Sequence, residues 1–469
     1  MSEGTRLEEN KMGTMPIGKL LANMSMPPMI SMLAAALYNV IDSIFVAKVS
    51  EDALAAVTLV FPVQMLMMSI NIGCGVGLAS LISRRLGEKR QEEANLAATH
   101  GFVLALVAWV IYAVIGIFLS GPFLRLFTGT ENEVIYEMAL SYCRIVMIGS
   151  LMINFSIVIE RILQSTGDTF HPMIFNLVGV AVNTALAPIL IIGYFGVTGY
   201  GVDGAAYAAI SGQTAGCIVA FLIFLTKKHA VQVSFRKFRI RWGILRDILV
   251  VGAPTIVMQA VQPILIVFLN ALFITVSTTA VAVLGVYFRI STFAILPCIG
   301  LNQGALPVMG YNFGAKNRLR LMATYRMAIK VALIIMIVAA SVFWIFPHWI
   351  MMLFSPTQEM LDMGIHALRT LSLCWIPGSF VIINIGLFQA LAHGIFALII
   401  SIIRQIGIIL PLAYILLVNF GINGAWFSYP IAEISAFALA AVFYVRTKKS
   451  QIDKLPDGAP IAGTSPVIG

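Results

Sequence analysis

The two halves of this chain repeat one another at a fixed spacing, and the repeat restricts the fold more than any single motif does. Residues 227 positions apart match without gaps: Pro27 with Pro254, Ala53 with Ala280, Phe61 with Phe288, Gly77 with Gly304, Gly87 with Gly314, Lys89 with Lys316 and Gly167 with Gly394. Past a shorter fifth helix in the second half the spacing becomes 220. Gly201-Val-Asp-Gly204 then corresponds to Gly421-Ile-Asn-Gly424. Duplication along the whole of a very apolar chain is how secondary transporters are built.

Hydrophobic residues make up 59% of the chain and charged residues 11%. A soluble domain carries about a quarter charged residues, so this surface faces lipid. The length accommodates about a dozen spans of roughly 20 residues. Apolar runs place helices near 17–47, 53–83, 95–119, 134–164, 172–194 and 204–226, then near 247–272, 279–308, 322–346, 358–391, 396–418 and 422–446. The expected fold is an all-α integral membrane protein with twelve transmembrane helices in two six-helix lobes. An even number of helices per half makes both lobes enter the bilayer in the same direction, so a pseudo-two-fold axis along the membrane normal relates them, with a cavity between.

The net charge of +9 has a topological cause. Basic residues gather in alternate connectors: Arg84, Arg85, Lys89 and Arg90; Lys227, Lys228, Arg236, Lys237, Arg239 and Arg241; Lys316, Arg318 and Arg320; Arg446, Lys448 and Lys449. The intervening connectors, Lys48 and Arg125 apart, carry acidic residues such as Glu51, Asp52, Glu131 and Glu133. Positive charge stays on the cytoplasmic side, which puts both termini inside, at the inner (cytoplasmic) membrane, and gives no reason to invoke nucleic acid. Met1 to Asn10 is polar and is followed by a full-length span, so no cleavable leader is expected. The organisation expected is a cytoplasmic segment 1–15, a first lobe 16–226, a linker 227–246, a second lobe 247–446, and a tail 447–469. Pro456, Gly458, Pro460 and Gly463 mark that tail as disordered. Cys74, Cys143, Cys217, Cys298 and Cys374 show no metal or disulfide spacing and are expected to pack.

Asp42 is the leading functional candidate. It lies in an apolar helix, with Tyr38 and Asn39 on the same face at i−4 and i−3. An ionisable group at membrane depth is expensive and is kept for a pathway or a partner. A proton or sodium ion that neutralises it in one state, and a cationic substrate that competes in the other, would make it a coupling group; the plainer alternative is a partnered structural carboxylate. Asn176 and Asn183, seven apart, share a face of the fifth helix, where hydrogen bonding between helices is an equally good reading. Gln64 and Asn71 are further polar residues at membrane depth. Adjacent Glu160 and Arg161 point about 100° apart, so they cannot both face one cavity squarely, and local pairing of Glu160 is the favoured reading. The many methionines of the first two helices suit a surface that accepts varied apolar ligands, though packing explains each one alone. Pro27-Pro28 predicts a kink or hinge in the first helix.

Several stretches resemble the multidrug and toxic compound extrusion (MATE) family across residues 15–446, with the bacterial DinF-like branch the best fit. They are Tyr38-Asn-Val-Ile-Asp42-Ser-Ile-Phe-Val, Asp52-Ala-Leu-Ala-Ala-Val-Thr-Leu-Val-Phe-Pro62, Gln164-Ser-Thr-Gly-Asp-Thr169, Gly310-Tyr-Asn-Phe-Gly-Ala-Lys316 and Tyr429-Pro-Ile-Ala-Glu433. The resemblance implies an exporter of amphipathic, mostly cationic small-molecule drugs, driven by inward proton or sodium flow and working by alternating access. On that resemblance no enzymatic activity is expected, the expected partners are drugs and membrane lipid with no nucleic acid, and a monomer is expected. No cofactor is implied beyond the coupling ion, and no catalytic or metal residues. The resemblance also puts the family's coupling Asp at Asp42 and its asparagine at Asn183.

The family usually has an Asp four residues after that asparagine, where this chain reads Leu186-Ala187-Pro188. Sodium wants several hard oxygens and more than one negative charge, so the loss favours protons. Glu160 is the alternative candidate for the missing carboxylate. Gln259 and Gln262 occupy the place of a sodium-coupling Glu in one branch, so coupling is expected in the first lobe. Glu433 resembles the family's last-helix Glu, and a structural ion pair with Arg404 is as good a reading as ion coupling. The competing function is a flippase of lipid-linked precursors, which needs a cationic cavity that this chain does not suggest.

Overall fold

The computed structural model describes residues 10–128, 132–194, 198–227, 229–236 and 238–457, with the side chains of Asn39, Ala47 and Phe127 excepted. Of the segments expected from sequence, residues 1–9, Lys228, Lys237, Glu131 and the tail from 458 lie outside the described residues. One helical turn, Lys11–Thr14, precedes the first long helix.

The first lobe comprises α1 (Ile17–Ala47), α2 (Glu51–Gly87), α3 (Gln91–Val114, continued by a π turn at Ile115–Leu119 into Ser120–Thr128), α4 (Glu133–Gly149 then Leu151–Ser165), α5 (Phe170–Ile192) and α6 (Gly201–Thr226). The second comprises α7 (Trp242–Phe273), α8 (Thr278–Gly314), α9 (Arg318–Ile345), α10 (Gln358–Ser372 then Trp375–Ala390), α11 (Gly394–Ile402, a π turn at Ile403–Ile409, then Leu410–Ala425) and α12 (Ser428–Ser450). The described residues contain no strand. These helices are long and apolar enough to make twelve membrane crossings when each bent pair counts as one.

The repeat is visible in local geometry. Ser50 and Ser277, equivalent by the 227 spacing, cap α2 and α8 by accepting from the backbone N–H of Ala53 and Thr279. Lys89 and Lys316 both end their helices at positive φ, 60° and 56°. Gly201, the first residue of α6, and Gly421, at a break inside the last stretch of α11, also share a positive φ, 56° and 68°.

Four details differ from expectation. First, α4 and α10 bend by 43° and 44° instead of running straight. Beside each break a serine turns its hydroxyl back on the chain: Ser150 Oγ donates to Met147 O at 2.7 Å and Ser372 Oγ to Arg369 O at 3.0 Å. Such back-bonding competes with the helical ladder and favours a bend.

Second, α1 passes Pro27-Pro28 as one unbroken helix. The carbonyl that Pro27 leaves without a ladder partner is that of Asn23. It accepts instead from Thr169 Oγ1 at 2.9 Å, so a tertiary contact meets one of the two carbonyls that the proline pair frees. Third, α7 begins at Trp242, inside the expected linker. Fourth, the expected disordered tail stays packed as far as Asp457: Ile452 is fully buried, and the N–H groups of Arg318 and Leu319 donate to Pro456 O and Asp457 O. That short segment satisfies the open N-terminus of α9, which outweighs its polar composition.

The lobes meet through α1 against α8 and α2 against α7. A Cβ on Gly77 would lie 2.2 Å from Ile248 O, and one on Gly304 would lie 2.5 Å from Met24 O, so at both equivalent crossings only glycine lets the backbones approach so closely. Ser80 Oγ donates to Gln389 O at 2.6 Å, Ser25 Oγ to Leu301 O at 3.3 Å, and Arg85 pairs with Asp247 at 2.9 Å. All these contacts use the first half of α1 and α7, the second half of α2 and α8, and the inner end of α10. The lobes are therefore sealed at the end that carries the N-terminal turn and the end of α12.

Candidate functional site

Asp42 sits in the penultimate turn of α1, half-buried, where α1 packs along α5. With its amide nitrogen facing the carboxylate, the orientation that avoids acceptor against acceptor, Asn183 of α5 donates to Asp42 Oδ1 at 3.1 Å and Oδ2 at 3.3 Å. Gly212 of α6 makes room for this: a Cβ there would stand 2.8 Å from Asn183 Cβ and 2.5 Å from Gly179 O. Tyr38, one turn before Asp42, and Tyr142 of α4 lie within electrostatic reach of the carboxylate. Gln64 Nε2 donates to the Tyr142 hydroxyl at 3.3 Å. Among the described residues Asp42 makes no ion pair.

Asp42, Asn183, Tyr38 and Gln64 thus converge, while Asn39 is on the helix with its side chain outside the description. Asn71 belongs elsewhere. Its Nδ2 donates to Asn154 Oδ1 at 3.0 Å and its Oδ1 accepts from the Tyr112 hydroxyl at 3.2 Å, in a buried knot joining α2, α3 and α4. Asn176 also stands apart, donating to Glu160 Oε2 at 3.2 Å, and Gln164 Nε2 donates to Glu160 Oε1 at 2.8 Å. Seven helical residues span about 10 Å along the axis, which separates Asn176 from Asn183 despite their shared face. Arg161 turns the other way, onto Gly75 of α2, and donates to Gln164 Oε1 at 2.9 Å. Ala187 is fully buried in the same core cluster as Val46, one turn beyond Asn183.

In the second lobe, Arg404 comes from the π turn of α11 and donates to both Glu433 oxygens at 3.2 Å. Glu433 is 7% exposed, and Gly378 leaves it space. Gln259 is half-buried and Gln262 exposed, and neither makes a hydrogen bond among the described residues. Sequence reasoning missed Tyr142: nothing in its segment sets it apart from its neighbours, and only the fold brings α4 up to α1.

Two duplicated six-helix lobes, sealed at one end and carrying an unpaired carboxylate in one of them, define a membrane transporter. MatE, the family description that fits, matches residues 27–189 and again 254–415, and the chain belongs to that family of multidrug efflux transporters. It is 25% identical to the multidrug export protein MepA of Staphylococcus aureus (strain NCTC 8325 / PS 47), over 92% of this chain and 94% of that one. A solved MATE protein in its straight conformation superposes with a TM-score of 0.89 at 30% identity, covering 95% of this chain and 99% of the other. A multidrug resistance MATE family transporter of the MOP superfamily, solved in an outward-facing conformation, gives 0.88 at 30% identity with the same coverage.

Proposed function

We propose that this protein exports amphipathic, mostly cationic compounds across the cell membrane by alternating access, with inward proton flow neutralising Asp42 in each cycle. The observation that carries the reading is the isolation of that carboxylate. Asn183 orients it, yet no arginine or lysine of the described residues pairs with it, so its charge must be met by something mobile. A proton and a cationic drug can take turns there, and each visit changes the charge of the cleft wall.

Ala187 supports protons over sodium. A sodium ion seeks several hard oxygens with more than one negative charge, and the position one turn past Asn183 carries a buried methyl group. Glu160 is engaged by Gln164 and Asn176 and does not stand in for a carboxylate beside Asp42. The sealed end bears the basic connectors, which the positive-inside rule places in the cytoplasm. On that orientation both termini are cytoplasmic and the lobes part toward the outside. The relatives named as multidrug export proteins support the substrate class.

The test is efflux of a cationic dye from proteoliposomes under an imposed pH gradient or an imposed sodium gradient. Efflux is expected with the pH gradient in the absence of sodium. Sodium-driven efflux at fixed pH would overturn proton coupling, and no dye movement under either gradient would overturn the antiporter reading.

A further inference from the structure

We infer that residues 10–15 form a releasable clasp that holds the lobes shut at the cytoplasmic end and must detach each time that end opens. The inference rests on the alternating access proposed above and adds a part to it. The segment precedes α1 of the first lobe but is held mainly by the second. Arg320, at the start of α9, donates to Met12 O at 3.1 Å and to Met15 O at 2.7 Å, and Asn312 Nδ2 donates to Met12 O at 3.2 Å. Met12 is fully buried and clusters with Leu20, Met24 and Val308 across the seam. On the other side Asn10 Nδ2 donates to Thr166 O in the α4–α5 connection of the first lobe, at 3.2 Å. Six residues therefore touch both lobes.

The chemistry suits repeated release. Arg320 is 2% exposed and makes no ion pair among the described residues; main-chain carbonyls of the segment hold its guanidinium. Hydrogen bonds from a guanidinium to neutral carbonyls are exchanged for water at a smaller cost than a buried pair with a carboxylate, whose separation would strand two charges. The repeat sharpens the point. The segment before α7 reaches across in the same way to α3 of the first lobe: Gln232 N–H donates to Asn95 Oδ1 at 2.8 Å and Arg241 N–H to His100 Nε2 at 2.9 Å. That arm is continuous with α6 at its other end, so it is tethered to the lobe it touches whatever the lobes do. Among the described residues the N-terminal arm continues into the bundle through α1 alone, so of the two arms it is the one that has to let go.

The test uses spin labels at the equivalent positions Glu92→Cys and Leu319→Cys, on a full chain whose five native cysteines are replaced by alanine. Deleting residues 2–15, or the milder Arg320→Met, is expected to raise the cytoplasm-open population at least about fivefold, the worth of one net hydrogen bond. A distance distribution unchanged from the parent in both variants would overturn the clasp. In the opposite direction, Gly13→Cys and Tyr311→Cys bridged by a short bis-maleimide should stop dye export, while a one-ended maleimide on the same protein leaves it running. Undiminished export by the bridged protein would also overturn the clasp. The distance readout needs neither drug nor gradient, so a protein that exported no dye would refute the antiporter reading and leave the spin-label result standing.

Discussion

Asp42 and Glu433 are both carboxylates inside membrane helices, and their neighbours separate their roles. Glu433 is bound by Arg404, so removing one partner strands a buried charge. Glu433→Leu alone is expected to lower stability by about 3 kcal/mol, and the double variant Arg404→Leu with Glu433→Leu to recover most of it. Thermal unfolding of the detergent-solubilised proteins measures the difference, and a double variant no better than the single one contradicts a structural pair. Among the described residues Asp42 has the Asn183 amide and no ion pair. Asp42→Asn keeps the shape and a hydrogen-bonding group but removes the charge change. Dye export should fall to the level of cells without the transporter while the melting temperature stays within a few degrees. Export at the wild-type rate would remove Asp42 from the mechanism. Asp42 is legible in the sequence because a lone carboxylate in an apolar run stands out. Tyr142 is not, because nothing in its own run marks it.

At the scale of elements, helix positions follow from apolar run length, while bends and exact ends depend on packing. A single run such as 134–164 does not announce the 43° break in α4, which a serine hydroxyl accompanies. Pro27-Pro28 advertises a kink, yet Thr169 supplies one of the two bonds the ladder lacks. The α5–α6 pair positions Asn183 against Asp42. Gly212→Val would set side-chain atoms against Asn183 and the Gly179 carbonyl, pushing α6 away. Overpacking of this kind destabilises by about 1–3 kcal/mol, and here it also displaces the amide that orients Asp42. The expected result is a lower melting temperature together with export reduced about tenfold or more, the usual effect of a misplaced site group. Lost stability with normal export would show that Asn183 is not placed by this contact.

For the whole molecule, the sealed end decides at which end the lobes can part. Gly304 approaches Met24 O so closely that a leucine there cannot fit while the lobes are shut. Gly304→Leu is therefore expected to favour the state that is open at that end. A cysteine at Ser80, fully buried against Gln389 in the closed seam, should then react with a membrane-impermeant maleimide in inside-out vesicles several-fold faster than in the parent chain. Equal labelling rates would show that this crossing does not control closure.

The amino-acid sequence by itself determined the membrane setting, the helix count, the duplication and the residue most worth testing, because composition, run length and a fixed spacing are properties of the chain read in order. For Glu433 it left two readings open, an ion pair with Arg404 or ion coupling, and the structure shows the pair. What it could not decide is which polar residues share a neighbourhood. Asn176 and Asn183 lie on one face, but the axial rise sends one to Glu160 and the other to Asp42, and Asn71 goes to Asn154. The tertiary structure alone decided those partnerships, the sealing of one end and the reach of residues 10–15 across the seam. These depend on how helices far apart in sequence come to lie side by side, and that is settled by close packing over many residues at once.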